Sequence, residues 1–305
     1  TPGHEAFSAM RARGSTIADI AILVVAADEG IKPQTKEALE HIKKAGISYI
    51  VVLNKVDKPE ANVEKVFGQL AKEGVAVEKM GGDVPAVVVS AKTGTGIDEL
   101  LDVILLVGEI AELQDVSEHN RAQGVIIESF LDPFRGATAT VLVREGALNA
   151  SDIVATPTTF GKIKTFENFK REPISQAHAS QPAIVTGFAD VPHVGEKFEV
   201  FTDIAQAQQY VIQKASKHSR GSEVLVVGEG QKVLNLILKA DVAGSLEAIE
   251  EILKTLPQEK IIVRILQAEV GEVSEADLKT ARSAQTAILA FRVKVPKAIS
   301  EFAER

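Results

Sequence analysis

The stretch "YIVVLNKVD" (residues 49–57) joins an almost uninterrupted apolar run to a polar loop. A short run rich in Ile and Val favours a strand that is buried on both faces, as in a parallel sheet. Runs of the same kind lie on either side of it along the chain, "ADIAILVVAA" at 18–27 and "PAVVVS" at 85–90. The three runs therefore predict strands of one parallel sheet.

The segments that follow these strands have the spacing of amphipathic helices. Pro33 stands near the start of the first segment and Gly46 at its end, positions that these residues favour in helices. The three helical segments are "KPQTKEALEHIKKAG" at 32–46, "NVEKVFGQLAKEG" at 62–74 and "GIDELLDVILLVGEIAEL" at 96–113. Strands that alternate with helices predict an α/β domain whose sheet is covered on both faces.

The pattern changes beyond residue 113. Short runs rich in Val, Ile, Thr and Phe alternate with Gly, Pro, Asp and Asn clusters, which predicts a small antiparallel barrel. These runs are "GVIIESF", "ATATVLVRE", "DIVATP", "KIKTFEN", "AIVTGFA" and "EKFEVFT", all between residues 123 and 202. Helical spacing returns at 203–220, and alternating strands and helices follow from 232 onward, with a capping-box spacing at Ser274 and Asp277.

We therefore predict a multi-domain chain with two α/β regions on either side of a β-barrel. Its parts are an α/β domain at 1–113, a barrel at 114–203, a connector helix at 204–221 and an α/β third domain at 222–305.

Composition narrows the function classes further. The chain of 305 residues has no cysteine, which excludes disulfides and thiolate metal sites. Its net charge of -8 means that a nucleic-acid partner has to be held by local basic patches or by shape. No apolar run approaches the length of a membrane span, and no signal peptide is apparent, so we expect a cytoplasmic protein without a membrane partner.

The loop "NKVD" at 54–57 has side chains that match guanine. Asn54 can meet the acceptor edge of the base, and Asp57 can accept two hydrogen bonds from its donor edge. Adenine has no matching pair of donors, so the carboxylate selects guanine. The loop also follows a predicted parallel strand, and open α/β sheets bind ligands at the carboxyl ends of their strands.

A second loop with matching chemistry follows the next predicted strand. Its residues Ser90, Ala91 and Lys92 can present backbone N–H groups and a hydroxyl to the same base. An ordinary strand-to-helix turn explains Gly94 and Gly96 of this loop, but it does not explain its pairing with the "NKVD" loop. Together the two loops predict a guanine-binding site.

The chain opens with "TPGHEAFSAMRARG" (residues 1–14), in which a glycine and a histidine are candidates for work on a terminal phosphate. Gly3 has no side chain, so its N–H can approach a terminal phosphate closely. His4 beside it is a candidate to orient a water for in-line attack on that phosphate.

These motifs together resemble the GTP-binding domain of translational GTPases, and specifically the family of bacterial translation initiation factor two. The segments that carry the resemblance are "TPGHEAF", "MRARG", "VVAADEGIKPQTKEAL", "NKVDKPEANV" and "VSAKTGTGIDELL". It continues through "FRGATATVLVREGAL" and "PAIVTGFADVPHVGEKFEV" in the barrel and "LNLILKADVAGSLEAI" beyond it.

The resemblance implies a factor that binds GTP and GDP, with magnesium in the full-length protein. Such a factor helps to place initiator formylmethionyl-tRNA on the small ribosomal subunit, promotes joining of the large subunit and hydrolyses GTP on the assembled ribosome. Its partners are then both ribosomal subunits, ribosomal RNA and the initiator tRNA, and we expect a monomer.

The resemblance also implies roles for individual residues. Asn54, Lys55 and Asp57 contact guanine and support the nucleotide, and Ser90, Ala91 and Lys92 close over the base. Gly3 senses the γ-phosphate, and His4 is the catalytic histidine.

The sequence departs from the family in one important respect. It contains no Gly-x-x-x-x-Gly-Lys-Ser/Thr loop, whose amides, lysine and hydroxyl hold the phosphates and magnesium. We therefore expect an internal fragment that lacks the start of the GTP-binding domain and the C-terminal tRNA-binding domain, and that is inactive alone.

Two alternatives remain at this stage. The chain can be a non-catalytic ribosome-binding module, which the missing phosphate loop favours and the "NKVD" loop disfavours. It can also be a guanine-nucleotide factor of the elongation-factor type, in which a second barrel follows the first.

Overall fold

The structure is a computed structural model. It describes residues 8–113, 121–215, 232–257, 260–296 and 299–300. The chain divides into two compact units, residues 1–114 and 115–305. No helix in the described part of the chain is both long and apolar enough to cross a membrane.

The first unit contains a parallel sheet of three strands in the order β1-β2-β3. Its elements are α1 (Ser8–Ile17), β1 (Ile20–Ala26), α2 (Pro33–Ala45), β2 (Ser48–Asn54), α3 (Val63–Lys72), β3 (Ala86–Val88) and α4 (Ile97–Ile110). Gly46 ends α2 in the left-handed conformation, with φ 69°, as its place at the end of the helical pattern predicts. The sequence pattern did not predict α1.

Helices cover both faces of this sheet. On one face, Leu23, Val51 and Leu53 pack with buried residues of α2 and α3, among them Phe67. On the other face, Ile50, Val52 and Val87 pack against the apolar side of α4. Burial on both faces explains the unbroken apolar run of β2. In the edge strand β1, Ile22 and Val24 remain exposed on one face.

The second unit begins with a closed antiparallel barrel of six strands in the order β10-β5-β4-β11-β7-β8. The strands in this part of the chain are β4 (Gln123–Asp132), β5 (Gly136–Glu145), β6 (Ala147–Asn149), β7 (Ile153–Ala155), β8 (Phe160–Glu167), β9 (Gln176–His178), β10 (Pro182–Phe188) and β11 (Lys197–Phe201). The short strands β6 and β9 form a separate ribbon that the sequence pattern did not predict.

The connector helix α5 (Ile204–Ala215) packs on the barrel. Ala207 is fully buried, the ring of Tyr210 contacts Phe201, and the Tyr210 hydroxyl donates to Glu199 at 3.0 Å. The predicted end of this connector, up to residue 221, lies outside the described residues.

The remainder of the second unit is a parallel three-stranded sheet with two helices. Its elements are β12 (Lys232–Ala240), α6 (Ala243–Thr255), β13 (Ile261–Val270), α7 (Glu275–Ser283) and β14 (Ala287–Phe291), and the strand order is β13-β12-β14. Ser274 and Asp277 form the predicted capping box at the start of α7. The predicted fold class is confirmed, and this parallel sheet is not the second barrel that the elongation-factor alternative requires.

Candidate nucleotide-binding site

The two loops predicted to recognise guanine follow neighbouring strands of the first sheet. β2 ends at Asn54, and β3 pairs with β2 in parallel register. The Val89 N–H donates to the Leu53 carbonyl at 2.8 Å, so the two chains stay paired up to the start of the loops. Both loops therefore leave the sheet at its carboxyl edge, where α/β proteins bind ligands.

Asn54 joins the two loops through its side-chain oxygen. Its Oδ1 accepts hydrogen bonds from the backbone N–H of Lys55 at 2.7 Å and of Ala91 at 3.0 Å. Because the oxygen is occupied in this way, the side-chain amide presents its NH₂ group as a donor. A donor at this position suits the O6 and N7 acceptors of guanine.

Asp57 and Ser90 form the second link between the loops. The Ser90 hydroxyl donates to Oδ1 of Asp57 at 2.7 Å. Ser90 is 1% exposed, whereas Asp57 lies on the surface. The Ser90 hydrogen bond lowers the pKa of Asp57, and the nearby charges of Lys92 and Lys58 add to this effect. At neutral pH the side chain is therefore a carboxylate, which can only accept hydrogen bonds.

Lys55 adopts a left-handed backbone conformation with φ 66°, which is uncommon for a residue other than glycine. Its side chain reaches the loop after β1, where its Nζ lies 3.0 Å from Oε1 of Glu29 and 4.0 Å from Oδ1 of Asp28. Lys58 binds the other oxygen of Asp28 at 2.5 Å. The β1–α2 loop thus supports the "NKVD" loop from a third direction.

The charges of this ion-pair group reinforce one another. The hydrogen bond from Lys58 lowers the pKa of Asp28, and that from Lys55 lowers the pKa of Glu29. The same contact with Asp28 raises the pKa of Lys58. Sequence reasoning missed Asp28 and Glu29, although "DEG" directly after a predicted strand placed two carboxylates at the same edge of the sheet.

The Ser90–Lys92 loop turns into α4 through two glycines. Gly94 and Gly96 have φ values of 83° and 76°. The Gly94 N–H donates to the Ser90 carbonyl at 2.8 Å, and the Ser90 N–H donates to the Thr95 carbonyl at 2.9 Å. These bonds close the loop tightly and leave Lys92 exposed beside Asp57.

The remaining predicted site residues, Gly3 and His4, lie outside the described residues. The geometry therefore brings together Asn54, Lys55, Asp57, Ser90, Ala91 and Lys92. Within the described ranges, no cluster of three or more His, Asp or Glu residues is arranged to hold a metal ion.

Three family models match successive parts of the chain. The model described as "Elongation factor Tu GTP binding domain" matches residues 1–108, and "Elongation factor G domain 2" matches 121–201. The model "Translation-initiation factor 2" matches residues 209–305.

Curated relatives match the chain almost from end to end. The chloroplastic translation initiation factor IF-2 of Euglena gracilis is 46% identical over 96% of this chain and 37% of its own length. The IF-2 of Rubrobacter xylanophilus is 39% identical over 100% of this chain and 46% of its own length. The IF-2 of Gloeobacter violaceus is 42% identical over 100% of this chain and 35% of its own length. The chain thus spans less than half the length of these relatives.

Solved structures of translation factors are similar to all or part of this chain. The crystal structure of GDP-bound aIF5B from Aeropyrum pernix covers 100% of this chain, with 26% identity and a TM-score of 0.60, and the match includes 58% of that protein. The bacterial selenocysteine-specific elongation factor EF-Sec matches 65% of this chain and 34% of its own, with 27% identity and a TM-score of 0.50.

Proposed function

Because this chain belongs to the translation initiation factor IF-2 family, we propose that it is part of a translation initiation GTPase. The whole factor binds GTP, promotes placement of initiator formylmethionyl-tRNA on the small ribosomal subunit, promotes joining of the large subunit and hydrolyses GTP on the ribosome. The observation that carries the proposal is the pair of hydrogen bonds, Ser90 to Asp57 and Ala91 to Asn54, that joins the two loops.

In this proposal each loop has a defined task in base recognition. The Asp57 carboxylate accepts from N1 and the 2-amino group of guanine, and the Asn54 amide donates to its acceptor edge. Lys55 supports the nucleotide with its side chain, whose ammonium group is held by Glu29 at 3.0 Å. Ser90, Ala91 and Lys92 close the site over the base. The Ser90 hydrogen bond and the charge of Lys92 also lower the pKa of Asp57.

Hydrolysis depends on groups beyond this base-binding site. We propose that Gly3 approaches the γ-phosphate and that His4 orients the attacking water once the ribosome repositions it. Bound magnesium neutralises charge on the phosphates in such enzymes. The sequence has no phosphate-binding loop of the Gly-x-x-x-x-Gly-Lys-Ser/Thr type, so we propose that this chain by itself does not hydrolyse GTP.

A calorimetric titration with GDP, with and without magnesium, tests the proposal. This chain is compared with a version extended upstream by a phosphate-binding loop, and ADP serves as the control nucleotide. We expect the extended version alone to bind GDP tightly and to prefer it to ADP. If the short chain binds GDP as tightly as the extended version, the phosphate-binding loop is not needed and that part of the proposal is wrong. If the extended version does not prefer GDP to ADP, the proposed recognition of guanine is wrong.

The histidine is tested in the same extended protein. His4→Ala is expected to leave GDP affinity nearly unchanged and to abolish ribosome-stimulated hydrolysis. Unchanged turnover removes His4 from the mechanism.

A further inference from the structure

The loop between β1 and α2, residues 27–32, is joined by backbone hydrogen bonds to the segment that contains the "NKVD" loop. The Ala27 N–H donates to the Asn54 carbonyl at 2.8 Å. The Asn62 N–H donates to the Ala27 carbonyl at 2.9 Å. The segment 54–62 is therefore attached to Ala27 at both of its ends.

The β1–α2 loop is itself held by a turn and by helix α3. Gly30 has φ 78°, and its N–H donates to the Ala26 carbonyl at 2.8 Å. The Ile31 N–H donates to Oε1 of Gln69 on α3 at 3.1 Å. A Cβ at Gly30 would lie 2.4 Å from that same oxygen, so the loop packs directly against α3. These contacts make the loop a fixed support for the side chains that it carries.

Asp28 of this loop has a buried carboxylate, with its side chain only 9% exposed. Its Oδ2 binds the Lys58 ammonium at 2.5 Å. Its Oδ1 is buried and accepts no hydrogen bond from the part of the chain that the structure describes, and the Lys55 ammonium lies 4.0 Å from it. A buried oxygen without a donor is unfavourable, so Oδ1 attracts Lys55.

Glu29 differs from Asp28 although it also binds Lys55. Its Oε1 lies 3.0 Å from Nζ of Lys55, and its Oε2 lies 3.4 Å from Nζ of Lys32. The Glu29 side chain is 47% exposed, however, and ion pairs in contact with water contribute little because solvent screens them. Asp28 is therefore the stronger support of the two.

The two lysines that Asp28 faces lie on either side of Asp57 in the chain. Lys55 has a left-handed backbone, a conformation that tertiary contacts must maintain in a residue other than glycine. The Lys58 N–H donates to the Lys55 carbonyl at 3.2 Å and closes the turn around Asp57. The Asp57 carboxylate is thus fixed from one side by Ser90 and from the other by this turn.

We propose that Asp28 is a positioning residue for guanine recognition. Its buried carboxylate holds Lys58 and attracts Lys55, and it thereby fixes the turn that presents Asp57 to the base. Asp28 acts through these lysines and does not touch the nucleotide. The inference rests on the proposed function, since it concerns the same base-binding site, and it goes further by naming a third loop that sets the preference for guanine.

The sign of the effect on GDP binding separates positioning from simple electrostatics. A nucleotide is anionic, so removing a nearby carboxylate charge by itself strengthens binding. In the extended protein we expect Asp28→Asn instead to weaken GDP binding about ten-fold or more, the effect of losing a charge-assisted hydrogen bond. Calorimetry measures this change.

The preference between bases shows whether the effect reaches Asp57. Inosine diphosphate lacks the 2-amino group that Asp57 is proposed to bind. We expect the preference of Asp28→Asn for GDP over inosine diphosphate to fall, because its Asp57 carboxylate no longer meets that group in a fixed position. A residue that only stabilises the fold leaves this preference unchanged.

Three further variants serve as comparisons. Glu29→Gln removes the exposed partner of Lys55 and is expected to change GDP affinity by about two-fold or less. Glu60→Gln removes an exposed carboxylate whose charge also acts on Lys58, and it is expected to bind GDP as the wild type does. Asp28→Glu keeps the charge and is expected to bind GDP more tightly than Asp28→Asn.

Amide hydrogen exchange in the chain as it exists, without nucleotide, gives a second measurement. We expect Asp28→Asn to speed exchange at the Lys58 amide, which closes the turn. The Val89 amide, which donates to Leu53 in the sheet, is expected to exchange as in the wild type. If Asp28→Asn does not fold, Lys58→Met removes the other partner of the bond and tests the same turn, because Lys58 is 46% exposed.

Unchanged or tighter GDP binding by Asp28→Asn, or equal exchange at the Lys58 amide in variant and wild type, overturns the inference. The proposed function is judged separately, by whether the extended wild type prefers GDP to ADP. The exchange measurement needs no nucleotide, so it reports on Asp28 whatever that titration shows.

Discussion

The Ser90 hydroxyl donates a 2.7 Å hydrogen bond to Oδ1 of Asp57, across a separation of 33 residues in the chain. The donor is buried and the acceptor is exposed, so the bond fixes a surface carboxylate from a rigid support. This relationship gives the two loops a common geometry before any ligand binds. Preorganisation of this kind lowers the entropic cost of binding.

Replacing Ser90 by alanine removes this donor. We expect Ser90→Ala to raise the pKa of Asp57 towards its ordinary value, because the hydrogen bond is the largest cause of the depression. A depressed carboxyl pKa stabilises the fold above the unfolded value, and this contribution is lost as the pH falls through the folded value. An NMR titration of the Asp57 carboxyl carbon measures the change.

Thr95→Ala is the matched control, since Thr95 lies in the same loop and its hydroxyl bonds to Thr93 rather than to Asp57. It is expected to leave the pKa of Asp57 unchanged. An equal pKa shift in both variants argues against a specific role for the Ser90 hydroxyl.

Asp57→Asn tests the assignment of base specificity. The substitution replaces one acceptor by an amide donor, which cannot accept from the 2-amino group of guanine but can donate to the 2-oxo group of xanthine. In the extended protein we expect weaker binding of GDP and stronger binding of xanthosine diphosphate, measured by calorimetry. Asp98→Asn removes a charge from the first turn of α4 instead and serves as control; an unchanged preference for GDP in Asp57→Asn contradicts the assignment.

The three strands of the first unit, the helices that follow them and the convergence of the two loops could be predicted, because they follow from local patterns. Apolar runs and helical spacing identify strands and helices, and the carboxyl ends of neighbouring parallel strands meet at one edge. The chain order alone therefore placed Asn54 and Ser90 near each other.

Features that depend on tertiary contacts could not be predicted in this way. The ion pair between Lys58 and Asp28 requires knowledge of side-chain direction in two loops. Helix α1 carries no apolar stripe that distinguishes it from a loop. The contact between Glu128 and Gly244 joins residues 116 positions apart, and neither residue stands in a recognisable motif.

Two glycines of the loop between β3 and α4, Gly94 and Gly96, offer a matched comparison. A Cβ at Gly96 would lie 2.2 Å from the carbonyl oxygen of Val88, whereas a Cβ at Gly94 would meet nothing within 4 Å. Both residues have positive φ, so each alanine costs about 1 kcal/mol in backbone strain. We expect Gly96→Ala to lower the free energy of unfolding by about 1–3 kcal/mol more than Gly94→Ala, because of the added clash. Equal free energies of unfolding for the two variants, measured by urea denaturation, contradict this explanation.

A buried ion pair connects two elements of the third region, which is the part of the second unit from β12 to β14. The Lys239 ammonium on β12 lies 3.0 Å from Asp277 at the start of α7, and both side chains are almost fully buried. Burial by itself would lower the pKa of Lys239, but its hydrogen bonds with Glu269 and Asp277 outweigh that effect and raise it. Burial opposes the ionised form of Asp277 too, yet bonds from Ser274 and Lys239 lower its pKa.

We expect Lys239→Met to lower the free energy of unfolding by about 3 kcal/mol, since it leaves a buried carboxylate without its cation. The Lys239 contribution is present below its unfolded pKa of 10.5 and is lost as the pH rises through the folded value. The Asp277 contribution is present above 3.8 and is lost as the pH falls through the folded value. The difference in free energy of unfolding between the variant and the wild type, measured by denaturation, is therefore largest at pH values between these two limits. Lys254→Met breaks an exposed pair with Glu251 and is expected to cost about 0.5 kcal/mol or less.

Glu128 of the barrel supplies a cap to helix α6 of the third region. Helix α6 begins after Val242, whose side chain cannot accept a hydrogen bond, and the Gly244 N–H instead donates to Oε1 of Glu128 at 3.4 Å. The same oxygen accepts from the Ser129 N–H at 3.1 Å. A carboxylate at a helix N-terminus is also favoured by the helix dipole, so Glu128 fastens the third region to the barrel.

Glu128→Ala removes both the acceptor and the charge, and we expect it to cost about 1 kcal/mol and to speed hydrogen exchange at the Gly244 amide. Glu128→Gln keeps an acceptor without the charge, so its effect is expected to be smaller. Glu145→Ala, which removes a carboxylate bound to Gln123 on the barrel, is the control and is expected to leave exchange at Gly244 unchanged. If the Gly244 amide exchanges as slowly in Glu128→Ala as in the wild type, Glu128 is not the cap of α6. Other contacts then hold α6 against β4.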